Sequence, residues 1–244
     1  MPHLDIVMMD MYGSIFPMSR WNLTVSRSSM KPMTMKRSRR DAGSRAHPYH
    51  HGNLRAALLE AAEAELEAQG IEGFSLRGVA KRAGVSHAAP AHHFRDANGL
   101  LTGLAAEGYR RFVATQVARQ KNALADGLSQ LVAAGLGYID FALAHPALFR
   151  LMFSSDRPDH EAPELSAAGA EAFERLIGAI QRVRGVDPLK DKKAMLSVMA
   201  AWAIAHGLAD LLVAGRMKFL LTLRKSEREA ALAQVLRQSL ALKS

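Results

Sequence analysis

The stretch SLRGVAKRAGVSHAAPAHHF, residues 75–94, decides the fold, because it reads as two short helices separated by a tight turn. Ser75 is a good N-cap, since its hydroxyl can accept a hydrogen bond from an otherwise unpaired amide at the start of a helix. Gly84 stands where the chain leaves that helix in a conformation that is costly for a residue with a Cβ. Ser86 is predicted to cap the second helix, which runs to about Phe94. The pattern predicts a helix-turn-helix, and a plain αα-corner is the alternative.

The segments on both sides of this pair also have helical periodicity. Upstream, a stripe of apolar residues predicts a first helix that Asn53 caps and Gly70 ends. Downstream, a fourth helix is predicted from about residue 97 to residue 122. Further helices are predicted at residues 126–145, 147–153, 162–184, 188–215 and 226–242. Apolar residues make up 49% of the chain but aromatics only 6%, which favours helices over strands, and the predicted fold class is all-α.

Composition excludes several classes of protein. The chain has no cysteine, which excludes disulfide bonds and cysteine-ligated zinc sites and is typical of a reducing cytoplasm. We find no apolar run long and uncharged enough to cross a bilayer, and Asp5 stands where an export signal would be basic. We therefore expect a cytoplasmic protein without a membrane partner.

The net charge of +9 is concentrated near the amino terminus. Residues 1–50 contain 8 Lys and Arg residues against 3 Asp and Glu residues. Residues 1–46 lack a sustained period and are predicted to be a disordered basic arm, or an over-long start if translation begins at Met30, Met33 or Met35. A basic arm ahead of a helix-turn-helix is typical of contact with a phosphate backbone, and a solvated tail is the alternative.

Residues 70–86 and 93–101 carry the motifs of a known family. The first segment reads GIEGFSLRGVAKRAGVS and follows the pattern G-[IV]-x-x-[FL]-[ST]-[LV]-R-x-[VI]-A-x-x-A-G-V-S. The second reads HFRDANGLL and follows the pattern H-F-x-x-x-x-x-L-L. With these motifs, residues 49–112 resemble the DNA-binding domain of TetR-family transcriptional regulators rather than a plain αα-corner.

A second resemblance lies in the carboxyl-terminal half. The motif W-x-x-x-H-G at residues 202–207, together with AHPALFRLMF at residues 144–153, is similar to a ligand-binding domain of one TetR subgroup. The two resemblances imply a helix-turn-helix DNA-binding domain at residues 47–96. They also imply a larger helical effector-binding and dimerisation domain at residues 97–244.

The resemblance implies a ligand-responsive transcriptional regulator, which in this family is usually a repressor. It would bind a palindromic operator in double-stranded DNA as a homodimer, with recognition helices about 34–36 Å apart, until a small-molecule effector releases it. The last two long helices would pair across the two-fold axis. Small and branched residues suited to that pairing are Ala200, Ala201, Ala205, Ala209, Leu232, Val235, Leu236 and Leu240. The alternative is a helical small-molecule-binding or dimeric interaction protein with weakened DNA binding.

The second helix of the motif, at residues 86–93, is the candidate recognition helix for the major groove. It offers no Arg, Asn or Gln for a bidentate base contact, so we expect a base or phosphate contact from His87 or His92. A thymine-methyl contact is expected from Ala88 or Ala89, and DNA shape is expected to supply much of the selectivity. The predicted DNA-contacting residues are Arg45, Tyr49, His50, His51, Ser75, Arg77, Lys81, Ser86, His87, Ala88, Ala89, His92 and His93.

Three positions in this region depart from the family pattern. Many relatives hold DNA phosphates with a tyrosine at the position of Ala91 and a lysine at the position of Ala97, and this chain has neither. Pro90 is predicted to remove the first intrahelical hydrogen bond and to leave the recognition helix short or irregular. Phosphate contacts therefore fall to the cationic, histidine and hydroxyl side chains of the predicted set.

An effector pocket is expected in the carboxyl-terminal domain, because Met and Phe give an adaptable wall for a small ligand, although core filler has the same signature. The predicted lining is Phe141, Phe149, Met152, Phe153, Phe173, Met195, Met199, Trp202 and His206. Trp202, His206 and Asp210 are spaced four residues apart on one helix face. His206 is expected either to line the pocket, oriented by Asp210, or to be buried and hydrogen-bonded to that carboxylate beside a close helix contact at Gly207.

No catalytic or metal-binding set emerges. The chain has no Gly-x-Ser-x-Gly elbow and no phosphate-binding glycine loop, so we do not expect an enzyme. Six of the ten histidines lie between His47 and His93, but the pairs His50-His51 and His92-His93 are neighbours whose side chains would diverge on a helix. We expect neither a metal ion nor a cofactor.

Overall fold

The computed structural model describes residues 54–240, and this range contains ten α-helices and no strand. In chain order they are α1 (Leu54–Gly73), α2 (Leu76–Ala83), α3 (Ala88–Phe94), α4 (Ala97–Gln120), α5 (Gly127–Ala144), α6 (Pro146–Ser154), α7 (Pro163–Arg184), α8 (Lys192–Val213), α9 (Lys218–Thr222) and α10 (Lys225–Leu240). The all-α prediction is confirmed. The predicted arm at residues 1–46 and the predicted cap Asn53 lie outside the described residues.

The turn between α2 and α3 has the predicted geometry. The hydroxyl of Ser75 accepts a hydrogen bond of 3.1 Å from the backbone N–H of Gly78 at the start of α2. Gly84 follows the helix at φ +65°, in the left-handed region that favours glycine. The next amide, of Val85, donates to the carbonyl of Ala80 at 3.1 Å. Both ends of α2 are therefore set by the residues expected to set them.

One predicted helix break and one predicted cap have different outcomes. Gly70 has φ +68° and interrupts α1 at the predicted end, and one further turn continues to Gly73. The prediction that Ser86 caps α3 is wrong, because the N-cap is His87, which has helical backbone angles and no side-chain capping bond. Ser86 is instead exposed on the surface.

Helix ends in the carboxyl-terminal half also differ from the predictions. α8 begins four residues later than expected, because the carboxylate of Asp191 accepts a hydrogen bond of 2.7 Å from the amide of Ala194 and caps the helix there. The short helix α9 was not predicted. α10 begins at Lys225, one residue before the predicted start of the last helix.

α4 and α5 form the centre of the molecule. They cross closely because Gly137 has no side chain at the contact, where a Cβ would lie 2.6 Å from the Cα of Gln116. α7 packs on α4, α8 packs on α5, and α10 closes the bundle against α5 and α8. Large apolar side chains such as Phe141, Phe149 and Ile180 fill the space between these helices.

α1, α2 and α3 form a smaller unit against the amino-terminal part of α4. The ring of Phe94, the last residue of α3, packs beside Gly103 on α4, where a Cβ would lie 2.9 Å from the ring. Beside this ring, Arg55 of α1 forms an ion pair of 2.7 Å with Glu164 of α7. Apolar and ionic contacts therefore both fix the orientation of this unit relative to the bundle.

α5 and α8 are long and apolar enough to cross a bilayer by length and composition, so the expectation that no such run exists is wrong. Core helices of globular proteins meet the same criterion. α5 packs against α4, α7, α8 and α10, and 56% of its apolar window is buried inside the molecule. Only 39% of the apolar window of α8 is buried, so one face of that helix is exposed in the single chain.

Candidate nucleic-acid interface and internal cavity

α2 and α3 turn their apolar residues inward and most of their polar residues outward. Val79 and Ala80 of α2 and Pro90 and Phe94 of α3 are buried. Of the predicted DNA-contacting residues, those exposed are Arg77, Lys81, Ser86, His87, Ala88, His92 and His93, and those partly buried are Ser75 and Ala89. Arg45, Tyr49, His50 and His51 lie outside the described residues.

Pro90 removes no intrahelical hydrogen bond, contrary to the prediction, whereas the predicted short helix is observed. It is the third residue of the helix, within the first turn, where backbone amides have no intrahelical acceptor. Its ring is buried and serves as an apolar anchor for the helix. α3 is short, but it is a regular helix.

The cations of α2 fall into two groups. Arg82 donates a hydrogen bond of 2.5 Å to the carboxylate of Glu65, which is 6% exposed, so this arginine neutralises a buried charge. Gly78 makes room for that carboxylate, since a Cβ at this position would lie 1.8 Å from it. Arg77 and Lys81 form no ion pair with a residue of the described part of the chain, and both are available to an external anion.

A cavity of about 330 Å³ lies between α4, α5, α7 and α8. Its inner wall consists mainly of aromatic and aliphatic side chains. Residues of that wall are Tyr109, Phe112, Leu131, Ala134, Tyr138, Phe153, Phe173, Leu176, Trp202 and Leu240, with the amides of Gln116 and Gln120 beside them. Charged side chains of α7 border the opening, and they are Glu171, Glu174, Arg175 and Arg182.

Three of the nine predicted pocket residues line this cavity, namely Phe153, Phe173 and Trp202. The others do not, and most of them fill the core: Phe141, Phe149, Met152 and Met195 are buried away from the cavity, and Met199 is partly buried outside it. Met and Phe at helical spacing therefore marked the core more often than the cavity.

His206 stands behind the cavity wall and contacts it through Tyr138. The Tyr138 hydroxyl lies 2.8 Å from Nδ1 of His206, and it also hydrogen-bonds with the side chain of Trp202. Burial raises the pKa of Tyr138 and lowers the pKa of His206. Burial therefore favours the uncharged form of both groups, which share one hydrogen bond between the hydroxyl and the imidazole nitrogen.

Neither of the two roles predicted for His206 describes its contacts. Its hydrogen-bond partner is Tyr138 on α5. Asp210 is exposed, and its charge only partly offsets the lowering of the His206 pKa by burial. The expected close helix contact at Gly207 is absent within the described chain, since a Cβ there would meet nothing within 4 Å.

Sequence reasoning missed much of the cavity wall, above all Tyr109, Phe112 and Gln116 on α4 and Tyr138 on α5. The first three recur at intervals of three and four residues, which places them on one helix face. That spacing was the available signal, and it does not distinguish a cavity from a solid core.

A group of possible metal ligands lies elsewhere. Donor atoms of Glu63, Glu67 and His145 lie within 4.8 Å of one another. Arg111, however, donates to both carboxylate oxygens of Glu63 and lies 2.9 Å from Nδ1 of His145. A cation already occupies the centre of this group, so the geometry is that of a salt-bridge network.

α8 exposes an apolar stripe along its outer face. Residues Leu196, Ala200, Ala203, Gly207 and Leu211 recur every three or four positions, and the two leucines are 57% and 43% exposed. The residues predicted to pair between protomers are mostly used inside the chain, and this corrects the prediction. Those buried are Ala201, Ala205, Ala209, Leu232, Leu236 and Leu240, which leaves Ala200 and Val235 exposed.

Comparisons with known proteins give consistent matches. Residues 58–104 match the family described as "Bacterial regulatory proteins, tetR family", and residues 131–238 match "Tetracyclin repressor-like, C-terminal domain". A protein of unknown function from Rhodococcus sp. RHA1 is 32% identical and superposes with a TM-score of 0.65, over 81% of this chain and 100% of that one. The TetR family transcriptional regulator PfmR from Thermus thermophilus shares the fold at 19% identity, with a TM-score of 0.56 over 77% of this chain and 99% of that one.

Among curated proteins, the HTH-type transcriptional regulator Rv1816 of Mycobacterium tuberculosis is 27% identical over 127 residues, or 52% of this chain. The match spans 53% of that regulator, so this chain covers about half the length of the curated relatives it matches. The two family matches together cover most of the residues from α1 to α10. The tetR-family match comes first in the chain and the carboxyl-terminal match follows it. The chain therefore belongs to the TetR family of transcriptional regulators, a family that is not enzymatic.

Proposed function

We propose that this protein is a ligand-responsive transcriptional repressor. It binds a palindromic operator in double-stranded DNA as a homodimer, and a small-molecule effector in the cavity releases it. On its W-x-x-x-H-G sequence we assign it to the subgroup with that motif, and its place of action is the cytoplasm. The observation that carries the proposal is the exposed surface of α2 and α3, where two cations and three histidines surround a recognition helix.

The side chains on this surface suit different kinds of contact with DNA, according to their chemistry. Arg77 and Lys81 are exposed and free of described carboxylates, so they are suited to phosphate contacts that set the register on DNA. His87 and His92 offer ring nitrogens to bases or phosphates, and Ala88 offers a methyl group to thymine. Such a small reading surface favours recognition through DNA shape as well as base contacts.

The apolar stripe of α8 supports the homodimer. An exposed row containing Leu196 and Leu211 costs free energy in water, and a second copy packed across it would remove that cost. Small residues between the leucines, Ala203 and Gly207 among them, allow two helices to approach closely. Two protomers paired there would present their α3 helices on one side of a DNA duplex.

The cavity supports effector control because α4 belongs to both parts of the molecule. It follows α3 directly, packs against α1, and supplies Tyr109, Phe112 and Gln116 to the cavity wall. A ligand that prefers a different tilt of α4 would alter the spacing of the two α3 helices in the dimer. The ligand would then weaken DNA binding by at most the ratio of its affinities for the two states.

The test is a gel-shift titration of the full chain against the DNA upstream of its own coding sequence at low salt. The double variant Arg77→Ala with His87→Ala should bind at least tenfold more weakly, whereas Lys190→Ala, an exposed charge in the α7–α8 loop, should bind like the original protein. If the unaltered protein is monomeric and binds no upstream fragment, the proposal fails. A helical small-molecule-binding protein with weakened DNA binding would then remain.

A further inference from the structure

The charge distribution of the cavity limits which ligands it can hold. The charged residues that border it, Glu171, Glu174, Arg175 and Arg182, all lie on α7 and are exposed at the rim, where two acids balance two arginines. The wall contributed by α4, α5, α6 and α8 is uncharged in the described chain. A carboxylate moved past this rim to the inner wall would lose its hydration without gaining a cation there.

The polar groups of the inner wall are mostly committed to partners within the protein. The Tyr138 hydroxyl pairs with His206 and Trp202, as described above. The side-chain nitrogen of Gln120 donates to the backbone carbonyl of Gln130 at 3.2 Å, and the side-chain nitrogen of Gln130 donates to the backbone carbonyl of Gln120 at 3.1 Å. The side-chain nitrogen of Gln120 is therefore already engaged with the backbone, and the Tyr138 hydroxyl with two neighbouring side chains.

Gln116 is different, because its side-chain amide lines the cavity and forms no hydrogen bond with any residue between positions 54 and 240. The amide carries both an N–H donor and a carbonyl acceptor. Its backbone is held in place, since it lies against Gly137 at the crossing of α4 and α5. A polar group that projects from a fixed backbone into an apolar cavity can orient a bound ligand.

The remaining walls suit a flat ring. The rings of Phe112 and Tyr138 meet edge to face at 4.7 Å, and Tyr138 stacks with Phe153 at 5.9 Å. The cavity volume of about 330 Å³ is at the lower end of the range of roughly 300–1,000 Å³ for small-molecule sites. The space therefore fits a compact ligand of one or two rings better than a long chain.

We propose that the effector is a compact, uncharged ring compound that carries a carboxamide or an equivalent pair of donor and acceptor, and that this group hydrogen-bonds with the side chain of Gln116. The proposal rests on the proposed function in that it names the effector class of that regulator. The binding chemistry itself does not involve DNA. Gln116 is then the residue that selects uncharged polar ligands over acids and plain hydrocarbons.

The test uses isothermal titration calorimetry of the full chain with naphthalene-2-carboxamide, 2-naphthoate and naphthalene. The carboxamide should bind at least tenfold more tightly than the carboxylate. Gln116→Leu should weaken carboxamide binding about tenfold, because the ligand amide loses its partner, and should leave naphthalene binding within about twofold. Unchanged naphthalene binding also shows that the variant is folded with its cavity intact.

Arg175→Ala is the matched control at the rim, and it should leave carboxamide binding within about twofold. The inference is overturned if 2-naphthoate binds as tightly as the carboxamide, or if Gln116→Leu binds the carboxamide normally. Absence of binding by all three compounds overturns it as well. Gel shifts without ligand separate this failure from that of the proposed function, since operator binding by the unaltered chain depends on α2 and α3.

Discussion

Arg111 of α4 holds the carboxylate of Glu63 on α1 with both terminal nitrogens of its guanidinium group, at 2.5 Å and 3.1 Å. His145, at the junction of α5 and α6, lies 2.9 Å from the same carboxylate. Only 15% of the Glu63 side chain is exposed, against 33% for Arg111 and 30% for His145, so the carboxylate is the most shielded member of the network. One cluster of side chains thus joins the helix-turn-helix unit, the linking helix and the bundle.

Arg111→Ala should loosen this junction. Glu63 would keep a poorly solvated charge without its main partner, and we expect the free energy of unfolding to fall by about 1–3 kcal/mol. Amide hydrogen exchange should rise more in α1, α2 and α3 than in α5 and α8, because the unit formed by α1, α2 and α3 loses an ion pair with α4. Denaturant titration and exchange mass spectrometry measure these two effects.

Arg110→Ala is the control, since Arg110 is the next residue of α4 and its ion pairs with Glu107 and Glu164 are more exposed. Surface pairs of this kind contribute less than about 1 kcal/mol. Equal losses of stability in the two variants would contradict a special role for the Glu63 network.

Gly137→Ala should destabilise the α4–α5 crossing. The new Cβ would lie 2.6 Å from the Cα of Gln116, and backbone atoms cannot move aside as a flexible side chain can. We expect a loss of about 1–3 kcal/mol of unfolding free energy, together with weaker binding of any cavity ligand. In contrast, Gly178→Ala on α7 would meet only a side-chain nitrogen at 3.6 Å, and it should gain up to about 1 kcal/mol from helix propensity. Thermal and chemical unfolding of both variants would show whether the signs differ.

The helix ends were largely predictable because the interactions that set them are local. Ser75 caps α2 through a bond to an amide three residues away, and Gly84 and Gly185 adopt the positive φ that ends a helix. Where prediction failed, a stronger neighbouring signal competed. α8 was predicted to begin at residue 188, but the carboxylate of Asp191 caps it and the helix begins at Lys192.

The cavity was much less predictable, because its wall depends on how helices distant in sequence pack. Phe149 and Phe153 are four residues apart on α6, yet Phe149 is buried in the core and only Phe153 borders the cavity. The partner of His206 is Tyr138, 68 residues earlier in the chain, and no spacing rule within α8 points to it. Periodicity identifies an inward face but not whether that face meets atoms or open space.

Ala203→Glu tests the proposed dimer face. A glutamate at the middle of the exposed stripe on α8 would have to lose its hydration without a partner cation when two copies pair, which should raise the dimer dissociation constant at least tenfold. Sedimentation equilibrium measures that constant directly. Leu189→Glu is the control, since Leu189 is 59% exposed but lies outside the stripe, in the α7–α8 loop. A dimer equally stable in the two variants would mean that the protomers pair through another surface.

The buried environment of His206 predicts that the free energy of unfolding falls as the pH is lowered. Burial lowers the pKa of His206 in the folded protein, so the unfolded chain, with an ordinary value of about 6.5, binds a proton first as the pH falls. Stability associated with the neutral ring is therefore complete above about pH 6.5, decreases below it by at most about 1.4 kcal/mol per pH unit, and levels off once the folded form is also protonated. His206→Gln removes this titration, so its unfolding free energy should fall less between pH 7.5 and pH 5.5 than that of the unaltered protein. Urea titrations at several pH values give the two slopes, and identical slopes would mean that His206 takes up its proton equally readily in the folded and unfolded chains.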